Sequence, residues 1–188
     1  MLAFSGTHGT DRASALSILD NGFIARPGRI GSGAYFWSLF DDEYRSVAYR
    51  LAHDWATIRR RIRANRVKVI KVSIQLVDDS ERMNLDDPMH ATRLRSLMER
   101  FVTVACQAKK LEDVSRDEAQ AHFEDLGGLV EVYVKALEAQ LQSNIKVVFK
   151  SQYPAAVDPI REVAGLTSCF VVRDVSCIAK TELIQQEV

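Results

Sequence analysis

Residues 4–10 read FSGTHGT and residues 31–36 read GSGAYF, and the segment between them has the pattern of a short helix. Asp11 is a residue type that caps helices, and Gly22 favours a helix exit, so a helix is expected over residues 12–21. RPGRIGSG has the composition of a loop, and AYFW that of a short strand. The sequence therefore predicts a strand, a helix, a glycine-rich loop and a second strand, in that order.

The next segment, residues 41–65, predicts one long amphipathic helix. Its apolar residues recur at spacings of three and four, which is typical of a helix with one buried stripe. The stripe consists of Tyr44, Val47, Ala48, Leu51, Trp55, Ile58 and Ile62. Residues 67–77 follow with alternating apolar and polar side chains, the pattern of a half-buried strand.

The remaining chain changes from helical to strand patterns. Residues 87–143 have a helical pattern, in which Gly127 and Gly128 break or restart a helix, and the strand patterns IKVVFKS, CFVVR and CIAKTELI follow. Strands on both sides of a helical middle predict an α+β fold. We expect a single domain of residues 1–188 with a split sheet and a helical insertion at residues 87–143.

Composition excludes several classes of protein. The 188 residues carry no net charge, so a nucleic-acid or membrane partner would need a local patch. The three cysteines form no CxxC pair, which argues against a disulfide framework or a structural zinc site. No secretory signal or long apolar run is evident. We therefore expect a cytoplasmic protein, with delivery into another cell left open.

The two opening stretches contain residue types that suit a dinucleotide. His8 can donate a hydrogen bond to a ribose hydroxyl, Gly9 lets a planar ligand approach the backbone, and a Tyr35 ring can stack on nicotinamide. We expect the His8 and Tyr35 side chains to line one pocket and to converge on the same dinucleotide. The structural alternative is a turn with a chance histidine and a glycine-rich turn before a core strand. No phosphate-binding loop and no full GxGxxG fingerprint is present.

In this order, the stretches resemble the ADP-ribosyltransferases of the diphtheria-toxin and poly(ADP-ribose) polymerase type. The resemblance covers residues 3–52 and, more loosely, the last strands. It implies a split antiparallel ADP-ribosyltransferase-like core that binds NAD as substrate and needs no metal. The NAD-binding residues that it implies are His8, Gly9, Thr10, Arg26, Arg29, Gly33, Tyr35 and Tyr49.

The resemblance gives several of these residues a role. His8 would hold the adenosine-side ribose, the Gly9 backbone the nicotinamide amide, and Tyr35 the nicotinamide ring. Arg26 and Arg29 would face the pyrophosphate. A second tyrosine of the family would correspond to Tyr49, which lies a turn later than the family spacing and either lines the pocket wall or lies on the surface.

The third position of the family pattern departs from it. The family has a glutamate before an apolar run, where this chain has Ser168 or Cys169 in TSCFVVRD. A carboxylate there would favour the developing oxocarbenium ion, and neutral Ser or Cys could do only part of this. Either the third residue is divergent, or another carboxylate enters the site, or the domain binds NAD without turnover. Candidates for another carboxylate are Glu131, Asp158 and Glu162.

A basic run follows the second predicted helix. It consists of Arg59, Arg60, Arg61, Arg63, Arg66 and Lys68. Charge runs usually form a solvated helix end, and we favour that interpretation here. The alternative is a contact to RNA, to DNA or to the phosphates of the dinucleotide.

The resemblance implies a catalytic set of His8, Tyr35 and Ser168 or Cys169, and an NAD-dependent mono-ADP-ribosyltransferase of toxin or effector type. Its partners would be NAD, a protein or nucleic-acid acceptor and, in a toxin–antitoxin pair, an antitoxin protein, with no membrane involved. The alternatives are an RNA 2′-phosphotransferase-like enzyme, which shares an early His-Gly-Thr, and a non-catalytic module that binds NAD or ADP-ribose.

Overall fold

The computed structural model describes residues 1–41, 43, 45–109, 126–156 and 166–184, which form an α+β fold around one seven-stranded sheet. The strands are β1 (Leu2–Asp11), β2 (Ala34–Leu39), β3 (Val67–Leu76), β4 (Arg82–Asn84), β5 (Val147–Gln152), β6 (Thr167–Val172) and β7 (Ile178–Ile184). The helices in the described part of the chain are α1 (Arg12–Asn21), α2 (Arg45–Asp54), α3 (Pro88–Lys109) and α4 (Leu126–Leu141). The predicted α+β class is confirmed.

The strand order is β4-β5-β6-β2-β1-β3-β7, and every pair is antiparallel except β4–β5. Strand β6 lies inside the sheet between β5 and β2. This position explains why CFVVR is apolar in both alternations, because an interior strand with both faces covered has no solvated side. The short parallel strand β4 was not predicted, since three residues carry too little pattern.

The two faces of the sheet belong to different cores. Helices α2 and α4 pack on one face, here called the α2 face, with Trp37 and Val171 of the sheet. Helix α1 packs on the other, the α1 face, with Phe36 and Phe170. Because side chains alternate along a strand, neighbouring residues of β1 and β2 contribute to different cores.

Local signals in the first half were accurate. Asp11 caps α1 by accepting a hydrogen bond from the Ser14 amide at 2.9 Å, as predicted. In β3, the four side chains predicted to share one face are each at most 1% exposed. They are Ile70, Val72, Ile74 and Leu76.

The long helix predicted over residues 41–65 is wrong in its second half. Helix α2 ends at Asp54 and continues as a π-helical turn, Trp55–Arg59, after which Arg61 adopts a φ of 55°. The wider turn rotates the following side chains, so Ile58 of the predicted stripe is 48% exposed. Val47 is also exposed, and Tyr44 lies outside the described residues.

Helices α3 and α4 lie within the stretch predicted as a helical insertion. Gly127 and Gly128 lie in α4, and the helix break predicted at them stays a prediction, because residues 110–125 lie outside the described part of the chain. Val130 and Val134 of α4 are buried in the core of the α2 face, so this helix is part of the packing. None of the described helices combines the length and apolar character needed to cross a membrane.

Candidate functional site

His8 lies in β1 and bonds across to β2. Its Nδ1 lies 2.9 Å from the backbone carbonyl oxygen of Tyr35, and its ring packs edge-on against Phe23 and Phe36 at centroid distances of 5.4 and 5.9 Å. These contacts place the imidazole on the α1 face. Sequence reasoning identified the residue, whereas the bond to the Tyr35 backbone is visible only in the structure.

The hydrogen bond determines the tautomer of His8. A carbonyl oxygen only accepts, so Nδ1 carries the proton and donates it to Tyr35. Burial lowers the pKa of His8, the bond to Tyr35 raises it, and the nearby charge of Arg60 lowers it further, with a net decrease. The ring is therefore neutral at neutral pH, and its Nε2 carries a lone pair. Towards a ribose hydroxyl, Nε2 would therefore accept a hydrogen bond, whereas the sequence predicted that His8 donates one.

Strands β1 and β2 part beside this histidine. Their pairing runs from Ser5–Leu39 to Thr7–Trp37 and ends there. Beyond it, β1 continues along β3 to Asp11, while β2 continues along β6. We call the diverging segments, residues 8–11 of β1 and 34–36 of β2, the β1–β2 wedge. The sheet thus consists of two halves joined by only three residue pairs.

Thr10 supplies an unsatisfied polar atom in the wedge. The residue is 1% exposed, and its hydroxyl has no hydrogen-bond partner among the described residues. Because Thr10 is two residues after His8, the two side chains leave β1 on the same side. A buried hydroxyl without a partner is costly, and such groups often await a ligand or a water.

The expectation that the His8 and Tyr35 rings line one face is wrong. Thr7 pairs with Trp37, so those two side chains share the α2 face. Tyr35 is two residues from Trp37 and packs on that same core, whereas His8 alternates to the α1 face. A ligand that touches both rings must therefore pass through the wedge rather than lie on one face.

The Tyr35 hydroxyl anchors the glycine-rich loop. It accepts a hydrogen bond from the Ile30 amide and donates one to the Gly31 carbonyl, both at 2.8 Å. Burial, which outweighs the Ile30 bond, raises the pKa of Tyr35 to about 12. The phenol is therefore neutral. Tyr35 has a structural role as the anchor of the loop, and its predicted stacking on nicotinamide would be a second role.

The loop itself is closed by paired backbone. Arg26 and Gly33 exchange two backbone hydrogen bonds of 3.1 and 2.9 Å. Gly33 is buried, and a Cβ built on it would lie 2.9 Å from the Val172 carbonyl carbon, so the glycine allows β2 to start against β6. Arg26 and Arg29 are exposed, so their charges are available to an anion.

Ala52 and Ala56 pack closely against Gly9. A Cβ built on Gly9 would lie 2.7 Å from the Ala52 carbonyl carbon and 3.1 Å from the Ala56 Cβ. Helix α2 therefore occupies the space that the absent side chain leaves on the α2 face. The expected contact between the Gly9 backbone and a carboxamide remains a prediction, and it would have to be made along the strand edge in the wedge.

The two residues at the third position lie on opposite faces. Cys169 is paired with Trp37 and is 5% exposed, and burial raises the pKa of its thiol to about 12. It is a small buried apolar side chain, so the catalytic role that the resemblance implies for Cys169 has no support from its surroundings. The Ser168 hydroxyl is 2.8 Å from that of Ser38, which lies on the same side of β2 as Phe36. Ser168 thus shares the α1 face with His8.

Of the three alternative carboxylates, the structure describes Glu131. It accepts hydrogen bonds from the Ser32 amide at 3.1 Å and from Arg173 at 2.6 Å. Burial opposes its ionisation, but these bonds outweigh burial and lower its pKa. Arg173 also pairs with Glu138 at 2.5 Å. Glu131 is therefore ionised and committed to this ion-pair cluster, and Asp158 and Glu162 lie outside the described residues.

Tyr49 is neither free nor buried. It packs against the core of the α2 face and stacks on His53 with a centroid distance of 6.1 Å.

Sequence reasoning missed the Arg173 cluster and the Ser38 partner of Ser168. The sequence signal that was available is that Arg173 directly follows the apolar run CFVV, because a charged residue beside a buried strand is usually paired.

A cavity of about 250 Å³ lies away from the wedge, between β4 and the α3–α4 pair. Its walls include Met83, Leu137, Ile145 and His90, and none of the predicted site residues lines it.

Comparison with known proteins gives no independent identification: no family model, no curated protein and no solved structure matches this chain.

Proposed function

We propose that this chain is an NAD-dependent mono-ADP-ribosyltransferase whose dinucleotide binds in the β1–β2 wedge. The observation that carries the proposal is the bond between the His8 imidazole and the Tyr35 carbonyl at the point where β1 and β2 separate. It brings together the two motifs on which the resemblance to ADP-ribosyltransferases rests. The two half-sheets joined by three pairs also fit the split antiparallel core that the resemblance implies.

The chemistry of the wedge suits a ribose. Nε2 of neutral His8 accepts a hydrogen bond from a ribose hydroxyl, and the buried Thr10 hydroxyl supplies a second polar contact. The exposed Arg26 and Arg29 on the glycine-rich loop suit a pyrophosphate. The Tyr35 hydroxyl bonds Ile30 and Gly31, so the ring is tied to the loop that carries both arginines.

The proposed reaction is a substitution at the anomeric carbon of the nicotinamide ribose. The glycosidic C–N bond breaks, nicotinamide leaves with the bonding electrons, and an acceptor nucleophile forms the new bond and loses its proton. Positive charge develops on the ribose during this step, and electrostatic stabilisation would normally come from a carboxylate. In this chain, Ser168 on the His8 face is the described candidate for the third position, since Cys169 is buried with a raised pKa.

A second function, NAD binding without turnover, is favoured by the same third position. The only one of the three alternative carboxylates within the described residues is Glu131, and it is neutralised by Arg173. The one carboxylate of the wedge, Asp11, caps α1 through Ser14, so the imidazole and hydroxyl groups can hold the ligand without stabilising the transition state. The two functions differ in one measurable event, which is the release of nicotinamide.

Calorimetric titration with NAD, followed by chromatographic assay of free nicotinamide, tests both functions. The purified chain, His8→Asn and the matched histidine control His90→Gln are compared, because His90 bonds Tyr133 at the distant cavity. We expect binding and nicotinamide release in the parent and the control, and loss of both in His8→Asn. Binding without release supports the second function, and no detectable binding by the parent chain overturns both.

A further inference from the structure

The basic segment, Arg59 to Lys68, is a concentrated positive surface. Its six cations are all exposed, and none has an ion-pair partner among the described residues. Residues 55 to 77 contain no Asp or Glu, although the whole chain has no net charge. The positive field is therefore local, and it belongs to one short piece of the chain.

The fold places this segment beside the wedge at both of its ends. At its start, Ala56 is fully buried against Gly9, and Arg59 and Arg60 follow within about one helical turn. At its end, Lys68 pairs with Thr10 in the β1–β3 ladder. The segment thus runs along the last residues of β1.

The local backbone keeps the charges spread rather than stacked on one helix. The Arg60 amide bonds the Trp55 carbonyl at 3.3 Å, and the Ile62 amide bonds the Ala56 carbonyl at 3.1 Å, which ends the π-helical turn. Arg61 then takes a left-handed conformation with a φ of 55°. The helix cannot continue through this residue, so the six cations are distributed over the end of the π-helical turn, an irregular stretch, a short 3₁₀ turn (Ala64–Arg66) and the start of β3.

The number and type of these groups indicate the ligand. A dinucleotide has one pyrophosphate, for which Arg26 and Arg29 are already available on the loop that leads into β2. Protein interfaces need a buried apolar centre, whereas six of the eight exposed residues of this segment are cationic and the other two are Ala64 and Asn65. A surface of unpaired cations without an apolar centre is typical of binding to a phosphate backbone.

We infer that the basic segment binds the phosphate backbone of a polynucleotide and presents it to the wedge as the acceptor of ADP-ribose. The identity of the acceptor rests on the proposed function, whereas the binding surface can be measured without NAD. We take Arg59 and Arg60, at the end of the π-helical turn that packs on Gly9, together with Arg63 as contacts, and a nucleophilic group of a base or sugar would enter the wedge beside them.

Fluorescence anisotropy with a labelled 20-nucleotide RNA, the same sequence as single-stranded DNA, and duplex DNA tests the surface in the absence of NAD. With six phosphate contacts, log K should fall with log salt with a slope of about −4 for a single strand. The triple variant Arg59→Gln/Arg60→Gln/Arg63→Gln should reduce the slope to about −2 and weaken binding ~50-fold at about 0.15 M salt.

The control variant Arg95→Gln/Arg100→Gln/Lys135→Gln removes three exposed cations from α3 and α4 and should bind as the parent does. Thermal unfolding followed by circular dichroism verifies that both variants fold. Equal binding by the two variants, or no binding by the parent, overturns the inference.

Labelled NAD incubated with separate pools of protein, RNA and DNA then tests the acceptor. We expect label in a nucleic-acid pool, and its loss in the triple variant. Label in the protein pool alone overturns this inference but leaves the proposed transferase standing. Tight polynucleotide binding with no label in any pool removes the transferase and retains the phosphate-binding surface, so the two failures are distinguishable.

Discussion

Two neighbouring glycines in α4 give opposite predictions for the same substitution. A Cβ built on Gly127 would overlap the Gly28 carbonyl oxygen and lie 2.9 Å from its carbon, whereas a Cβ on Gly128 meets nothing within 4 Å. Both residues lie in the first turn of one helix, so their backbone propensities are similar. Gly127→Ala should therefore destabilise the protein, and Gly128→Ala should stabilise it.

The size of the stability loss in Gly127→Ala follows from the hydrogen bond that the Gly28 carbonyl accepts. Carbon–carbon contacts lie at about 3.5–4.0 Å, so the methyl group that Gly127→Ala introduces must push the loop back by about 1 Å. The Gly28 carbonyl accepts the Gly31 amide at 3.2 Å, and the displacement breaks this turn. Overpacking costs about 1–3 kcal/mol and the lost bond about 1 kcal/mol, against about 1 kcal/mol gained from replacing a helical glycine. The net loss is about 2 kcal/mol, and Gly128→Ala gains about 0.5–1 kcal/mol.

Urea unfolding followed by circular dichroism measures both variants. With a slope of about 2 kcal/mol per molar urea, Gly127→Ala should lower the midpoint by about 1 M and Gly128→Ala should raise it slightly. The same loop carries Arg29, so the NAD affinity of Gly127→Ala should fall while that of Gly128→Ala is unchanged. A Gly127→Ala variant as stable as the parent would refute the close packing of the loop on α4.

Three further predictions concern the wedge. Tyr35→Phe keeps the ring but leaves the Ile30 amide and Gly31 carbonyl unpaired, so the free energy of unfolding should fall by about 1–3 kcal/mol in urea titration, and an unchanged midpoint would contradict the anchoring role. Burial lowers the pKa of His8 in the folded protein below the unfolded value of about 6.5, so the unfolded state is protonated first as the pH falls. The free energy of unfolding should therefore fall as the pH drops from about 6.5 to the folded pKa. The variant His8→Asn should lack this pH dependence. Cys169→Ala should leave nicotinamide release intact and cost about 1 kcal/mol of stability, and a loss of release in a folded variant would show that the thiol participates.

Much of the fold was predictable because its signals are local. The cap at Asp11 and the alternation in β3 depend on neighbouring residues, which a sequence shows directly. The end of α2 was not predictable, because the π-helical turn is stabilised by Ala56 packing on Gly9, a contact between distant parts of the chain. Periodicity alone extends a helix through such a point, and so misplaced Ile58.

The sequence nominated residues for the candidate site, but it could not tell on which face of the sheet each of them lies. The spacing of His8 and Tyr35 said nothing about register, and a shift of one residue between β1 and β2 would have put both rings together. Register also determines which residue of the third position can face the site. Ser168 and Cys169 fit the family motif equally well, but as neighbours in β6 they point to opposite faces of the sheet. The pairing of Trp37 with Cys169 is what removes the thiol from the site.

The third position also determines what the wedge can do. Stabilising a cationic ribose needs a negative charge that the protein has not already neutralised. Arg173 is 12% exposed and pairs with both Glu131 and Glu138, so releasing Glu131 would leave a Ser32 amide and part of a buried guanidinium unsatisfied. The cost of leaving such groups unpaired makes that carboxylate a structural element of the loop. Among the described residues, transfer from NAD would therefore depend on Ser168, on a group of the acceptor itself, or on both, while Asp158 and Glu162 lie outside the described part of the chain. A polynucleotide held by the basic segment would also bring anionic phosphates to the wedge.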